Sequence, residues 1–169
     1  MFELLKLFFD ICLFKKGPQD IPGYSSLLRL LILVHMSVSY LVLRLNMNST
    51  DAAWQVLVEV ILILGLAWPI LLLAKKPVRF QQTASALLGT GAVISFIAIP
   101  AMATLVSQGT GLAFFAVILL MIWHWAVTGH IFSQALDQPF SFGLGIAFIY
   151  IFVSYQIIGL LFPEIIITE

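Results

Sequence analysis

The chain carries very little charge. Only 9% of its 169 residues are charged, with eight Lys and Arg balanced by eight Asp and Glu, against about 25% in ordinary soluble domains. A single Cys excludes a disulfide framework, and the lack of a basic excess excludes nucleic-acid binding through a positive face. What fills the sequence instead is apolar, since 62% of the residues are hydrophobic. The composition therefore predicts an integral membrane protein.

Five apolar segments separated by short polar loops predict the fold class. A helix needs about 20 mostly apolar residues to cross a hydrocarbon core of roughly 30 Å. We predict an all-α fold, with one membrane domain over residues 1–169 that forms a bundle of five transmembrane helices. The predicted spans are about 26–45, 54–74, 84–106, 112–136 and 141–162. The third span is the richest in small residues, so we expect it at the centre of the bundle.

The basic residues predict the topology. All Lys and Arg except Arg44 fall on one side of the five spans, and cytoplasmic loops are enriched in these residues. The amino terminus is therefore expected in the cytoplasm, and the tail 163–169 outside, in a bacterial inner membrane. Six basic residues of this face are candidates for contact with anionic lipid or a protein partner: Lys6, Lys15, Lys16, Lys75, Lys76 and Arg79.

The amino-terminal residues 1–16 form a separate pattern. Glu3, Lys6 and Asp10 share one helical stripe in an otherwise apolar segment, which is too short to span a bilayer. The basic pair Lys15-Lys16 and a Gly-Pro breaker follow it. This pattern predicts an amphipathic interfacial helix on the cytoplasmic leaflet.

Two histidines lie deep in the predicted spans, where ionisable residues are costly and each is a functional candidate. At 1.5 Å per residue, His35 lies about 14 Å from the cytoplasmic boundary, and His124 lies at a similar depth on another span. Together they could bind a haem or serve a quinone-linked redox site. The alternative, which we favour, is that they are packing residues bonded to a backbone carbonyl or to Ser39, Tyr40 or Ser95. On that view the protein has no cofactor and no metal.

Three further polar residues, Glu59, Arg44 and His130, are candidates for polar contacts within the membrane or at its interface. Glu59 is predicted about 8 Å below the outer surface, where we expect Arg44 to pair with it. His130 does not share a helical face with His124 and is expected at the cytoplasmic interface. We find no nucleophile with a base, no paired carboxylates and no phosphate-binding glycine loop, which counts against an enzyme.

One stretch carries a family resemblance. The residues Arg79-Phe80-Gln81-Gln82-Thr83 form a basic-aromatic turn into a span that ends near Ala98-Ile99-Pro100. This passage, with a cytoplasmic amino-terminal segment, five closely spaced spans and an outside carboxyl terminus, resembles the Yip family of small membrane proteins. The resemblance implies a non-enzymatic membrane organiser or adaptor.

The functional prediction follows from these patterns. We expect a non-enzymatic accessory subunit, adaptor or membrane organiser that acts through its cytoplasmic face. Its partners would be the lipid bilayer and a membrane-protein partner or a second copy of the chain. Two alternatives remain open: a haem- or quinone-linked redox protein that uses His35 and His124, and a transporter of a small solute or lipid, with a cavity at kinks made by Pro69 and Pro100.

Overall fold

The computed structural model describes residues 2–162, which form helices and turns and no strand. Two single 3-10 turns occur at Pro18–Asp20 and Pro77–Arg79. Five of the helices, α2 to α6, are long and apolar enough to cross a membrane, so the predicted all-α bundle of five spans is confirmed. The helices are α1 (Phe2–Cys12), α2 (Ser25–Leu43), α3 (Ser49–Leu73), α4 (Phe80–Gln108), α5 (Gly111–Leu136) and α6 (Phe140–Leu161).

The helix boundaries differ from the predicted spans where polar residues extend a helix. α3 begins at Ser49, five residues before the expected start at Trp54, because Ser, Thr and Asp suit a first helical turn, whose N–H groups have no partner within the helix. α4 begins at Phe80, four residues before Ala84. α2 ends at Leu43, before the expected Leu45. The predicted outside tail lies beyond the described residues.

The first half of α4 lies at the centre of the bundle. Residues 83–94 are all buried, and α4 packs against α1, α2, α3 and α5. The segment TASALLGTGAVI contains mostly small side chains, which let neighbouring backbones approach from every side. Its threonine hydroxyls donate to backbone carbonyls four residues earlier, as Thr90 Oγ1 does to the Ala86 carbonyl at 2.7 Å. The expected central position of this span is confirmed here.

The amino-terminal helix α1 docks against α4 and α5. Its buried face consists of Leu7, Phe8, Ile11 and Cys12, and the Phe8 ring occupies the space that a Cβ at Gly89 would need. Burial raises the pKa of the Cys12 thiol to about 12. A helix over Phe2–Cys12 is present, shorter than the predicted 1–16, and one face of it packs on protein. Its position on the cytoplasmic leaflet stays a prediction.

One indole and one imidazole group of α5 form hydrogen bonds with the chain at and just after the end of α1. Trp123 Nε1 donates to the Cys12 carbonyl at 3.1 Å. His130 Nε2 donates to the Lys16 carbonyl at 2.9 Å, since a carbonyl can only accept. Both carbonyls lie where α1 ends and its own hydrogen bonding stops. The connection between α1 and α5 is thus polar as well as apolar.

Helices α5 and α6 form the closest pair. A Cβ at Gly143 would overlap the Gly129 carbonyl oxygen and lie 2.8 Å from the Ser133 nitrogen, so only glycine fits there. Ala147 and Tyr150 continue the same buried stripe. Such close approach is how helices associate in lipid, where tails offer no hydrophobic driving force.

One end of the bundle gathers most of the basic residues; we call this end, formed by residues 15–24, 74–82 and 134–139, the basic end. Lys76 Nζ and Arg79 Nη1 contact opposite oxygens of Asp137, at 2.6 and 2.9 Å. The same cations bond the last carbonyls of α5, including Leu136 at 2.6 Å and Ala135 at 3.0 Å, which have no partner within the helix. Hydrogen bonds from Arg79 and then Lys76 lower the pKa of the Asp137 carboxyl to about 2.

Candidate intramembrane binding cavity

His35 on α2 is buried and held by α4. Its Nδ1 lies 3.2 Å from the Leu88 carbonyl oxygen, and since a carbonyl only accepts, Nδ1 carries the hydrogen and Nε2 faces the other way. Gly91 makes this approach possible, because a Cβ there would lie 3.1 Å from His35 Cε1. The close-packed backbone of α4 thereby sets both the tautomer and the direction of the ring.

Glu59 on α3 meets the free side of that ring. Its Oε1 lies 3.4 Å from His35 Nε2, and Ser39 Oγ lies 3.4 Å from the same nitrogen. The His35 side chain is 3% exposed and that of Glu59 is 34% exposed. The histidine therefore belongs to the core, whereas the carboxylate reaches a partly open space.

That space is a cavity of about 280 Å³ to which all five spans contribute. The polar wall contains a histidine on each of two helices, one carboxylate, one amide and several hydroxyls, set among Leu, Ile and Met side chains. The polar lining residues are His35, Gln55, Glu59, His124, Thr128, Tyr150, Ser154 and Tyr155. A largely apolar cavity with a few convergent polar groups is the usual form of a small-molecule site.

The cavity lies near the membrane midplane. Glu59 is ten residues from the start of α3, which at 1.5 Å per residue is about 15 Å along a helix that crosses roughly 30 Å. The exposed side chains of the wall lie on two helices, with Met121 on α5 53% exposed and Tyr155 on α6 61% exposed, and Glu59 on α3 is partly exposed. The cavity is therefore not closed off from the outer surface of the bundle.

Two polar groups of the cavity show that its hydrogen bonding is incomplete. Among the described residues, Gln55 Oε1 is the one buried side-chain polar atom without a hydrogen-bond partner. Ser154 Oγ donates its hydrogen to the Tyr150 carbonyl at 2.9 Å, so only its lone pairs remain. Buried polar atoms are satisfied in the great majority of cases, and an exception marks a place where another group can bind.

The structure brings together three of the residues that the sequence singled out. His35, His124 and Glu59 all line the cavity. The expected pairing of Glu59 with Arg44 is wrong: Arg44 Nη1 donates to the Met47 carbonyl at 3.0 Å, and Glu59 contacts His35. The reason is the early start of α3, which carries Glu59 about 15 Å along the helix instead of 8 Å.

Other predicted residues lie away from the cavity. His130 sits near the basic end, where its ring also makes an edge contact with Phe14 at 5.3 Å. Lys76 and Arg79 are engaged within the chain by Asp137. Lys6, Lys15, Lys16 and Lys75 are in no salt bridge among the described residues. Pro69 and Pro100 lie inside continuous helices and do not line this cavity.

Sequence reasoning missed the amide and hydroxyl groups of the wall. Gln55 precedes Glu59 by four residues and therefore shares its helical face, a signal that could have been used. Tyr150 and Ser154 lie on the small-residue stripe of α6, which favours helix packing, and only their position at the end of that stripe puts them at the cavity. Tyr155 gave no signal, since it neighbours polar and apolar residues alike.

Two observations bear on whether these residues could hold a metal or a haem. Within residues 2–162 no three His, Cys, Asp or Glu side chains are grouped as a metal site requires. Both ring nitrogens of His35 already have close neighbours, the Leu88 carbonyl on one side and Glu59 with Ser39 on the other. An axial ligand needs one nitrogen free to face the iron.

No protein-family model, curated protein or solved structure matches this chain. The Yip-like organisation therefore stays a prediction from topology and one short passage. What the fold and cavity establish is the class of protein: a multi-pass helical integral membrane protein.

Proposed function

We propose that this protein binds a small amphiphilic molecule within the membrane, in the cavity beside His35 and Glu59. One observation carries the proposal: four of the five strongly apolar helices direct polar side chains from their interior toward one cavity. Polar and ionisable groups at this depth are costly. Groups kept only for packing would contact one another and leave no cavity.

The walls define what such a molecule needs. Leu62, Ile63 and Ile151 supply apolar surface, and Glu59, Gln55 and the hydroxyls supply polar contacts. The volume of about 280 Å³ is near the lower end of the roughly 300–1,000 Å³ found for small-molecule sites. A ligand with a compact apolar body and one polar group fits these features.

Filling the cavity tests the proposal. Ser154→Phe places a ring in the cavity, and Ser37→Phe makes the same change on the exposed side of α2; both serines bond the carbonyl four residues earlier. After purification in mild detergent, organic extracts are compared by mass spectrometry. We expect the wild type and Ser37→Phe to retain a lipophilic small molecule that Ser154→Phe lacks. Identical extracts from all three proteins would remove the proposal.

A second candidate concerns the amino-terminal surface. Phe2, Leu5, Phe9, Leu13 and Phe14 are 43–78% exposed, and the exposed lysines of α1 and the loop after it, Lys6, Lys15 and Lys16, are interleaved with them. Apolar side chains beside lysines suit the boundary between acyl chains and anionic headgroups. We propose that this surface binds anionic lipid on the cytoplasmic leaflet of a bacterial inner membrane, as an accessory or organising protein would.

Neutralising the lysines tests this second candidate without disturbing α1. Deletion of residues 1–16 is unsuitable, since four of them are buried in the bundle. With Lys6, Lys15 and Lys16 all changed to Gln, we expect native mass spectrometry to show fewer retained phosphatidylglycerol molecules, but no loss for Arg44→Gln at the other end. Equal lipid retention in both variants would contradict it.

A further inference from the structure

We infer that the molecule bound in the cavity is a lipophilic primary amine, held as its ammonium ion by Glu59 in exchange for one proton. The inference rests on the proposed intramembrane binding function and adds the chemical class of the ligand. It depends on the contacts of His35, on the charged and titratable groups of the cavity and on its unused acceptors.

The contact between His35 and Glu59 suits a shared proton. Nδ1 donates to the Leu88 carbonyl, so Nε2 presents a lone pair towards a carboxylate oxygen 3.4 Å away, and Ser39 Oγ lies at the same distance from Nε2. A proton between two acceptors removes their repulsion. Before the ligand binds, the proposed scheme places one proton on the pair, either as imidazolium with carboxylate or as imidazole with carboxylic acid, and both forms are neutral overall.

Charge balance then limits the ligand. An unbalanced charge near the membrane midplane is expensive. If a monocation binds to Glu59, the pair can release its proton to solvent and leave neutral His35, ionised Glu59 and the cation, again neutral overall. An anion would instead require the pair to take up a second proton, because no lysine or arginine lines the wall to balance a negative ligand.

The other contacts also favour a donor of hydrogen bonds. Gln55 Oε1 lacks a donor, and Ser154 offers lone pairs because its own hydrogen is committed to the Tyr150 carbonyl. An ammonium group supplies three donors, enough for Glu59, Gln55 and one hydroxyl. The rings of Tyr150 and Tyr155 add aromatic surface, which attracts cations.

The titratable groups that face the cavity come from four helices. They are His35 on α2, Glu59 on α3, His124 on α5, and Tyr150 and Tyr155 on α6, while α4 contributes only Leu87 and Gly91. No lysine or arginine lines the wall. A bound ammonium therefore meets no fixed positive charge other than the proton it displaces.

Three probes of one shape and three charges test the inference. The protein in nanodiscs is titrated with 2-phenylethylamine, with neutral 2-phenylethanol and with anionic phenylacetate, and Ser154→Phe nanodiscs give the lipid background. Titration in buffers of different ionisation enthalpy counts the protons released. We expect the amine to bind at least about tenfold more tightly than the alcohol, with release of one proton per amine at neutral pH.

Substitution at Glu59 gives the second readout. Glu59→Gln should abolish the preference for the amine and its proton release, whereas Glu3→Gln on the exposed face of α1 should change neither. If the alcohol or the acid binds as well as the amine and Ser154→Phe blocks it, the amine inference fails and the binding function stands. If no probe distinguishes wild type from Ser154→Phe, the amine inference is overturned, and the lipid-extract comparison decides the binding function separately.

Discussion

The two parts of α4 have opposite surroundings. Residues 83–94 are all buried, and none of residues 95–108 is. The first stretch is rich in Gly, Ala, Ser and Thr, whereas the second spaces Phe96, Ile97, Ile99 and Met102 among its small residues. Small side chains admit neighbours on all sides, and bulky ones hold helices apart.

This difference divides the bundle into two halves. The closed half, around residues 83–94, joins the basic end and includes docked α1 and the tight α5 and α6 contact. The open half, around residues 95–108, leaves the helices less closely packed. On α4 the cavity wall consists of Leu87 and Gly91, which both belong to the closed half, and no residue of 95–108 lines the cavity. The closed half therefore both orients His35 and forms the α4 side of the cavity.

The largest expected effect comes from the closed half. Gly143→Val would place side-chain atoms against the Gly129 carbonyl and the Ser133 backbone, which cannot move as a side chain can. We expect a loss of about 2 kcal/mol or more in the free energy of unfolding in detergent. Gly145→Val, two residues along the same helix and with open space at its Cβ, should change it by less than about 0.5 kcal/mol. Equal losses would mean that the helix itself, not the contact, is sensitive.

A pair of alanines compares the halves directly within α4. Ala86 is fully buried, and Ala98 is half-buried. Ala86→Leu overpacks the centre and should cost about 1–3 kcal/mol, and Ala98→Leu should be close to neutral because the surroundings can accommodate it. The measurement is chemical or thermal unfolding in one detergent. Similar costs at both positions would remove the distinction between the halves.

The docking of α1 can be followed through the only cysteine of the chain. Cys12 is buried with a pKa of about 12, and since the thiolate is the reactive form, maleimide labelling should be slow. Gly89→Leu displaces the Phe8 ring and should speed labelling by about tenfold or more. Gly65→Leu, where a side chain meets open space, is the control. Unchanged labelling in Gly89→Leu would show that α1 is not held by this contact.

The smallest effect is expected at the basic end. The pKa of Asp137 is lowered to about 2 by Arg79 and Lys76. Its ion pairs therefore stabilise the fold at pH values above the ordinary pKa of a carboxyl group. That contribution is lost as the pH falls from about 4 towards 2. The thermal midpoint of the wild type should therefore fall more over this interval than that of Asp137→Asn. Asp51→Asn, in the first turn of α3 at the opposite end of the bundle, should leave the pH dependence of the thermal midpoint as in the wild type. The Asp137 effect is expected to be small because this side chain is exposed.

Some features followed directly from local sequence. The polar and glycine residues from Ser107 to Gly111 predict a break between the third and fourth spans. In the structure α4 ends at Gln108, and Gly109 follows with a φ of 58°. The Thr110 side chain then accepts a hydrogen bond from Ala113 N at 3.4 Å, at the start of α5. The number of spans, the central position of α4 and the three ionisable residues at depth were also predictable. Each depends on hydropathy or on residue size, which the chain carries locally.

The partner of Glu59 was not predictable, whereas a backbone carbonyl and Ser39 do lie beside His35 as the sequence suggests. When the second span is taken to begin at Trp54, the depth of Glu59 in the membrane is closer to that of Arg44 than to that of His35. Because α3 begins at Ser49, Glu59 lies deeper and contacts His35 instead. The docking of Phe8 on Gly89 joins residues about eighty positions apart, and no local pattern encodes such a meeting.

By itself, the sequence determined that the chain is a five-span membrane bundle and which few residues carry polar chemistry at depth, because burial of apolar segments in lipid is a local requirement. Only the tertiary structure decided that His35, His124 and Glu59 share one cavity, and that Leu88 fixes the His35 tautomer. The direction in which each helix face points depends on packing between helices, and this packing is set by all five spans together.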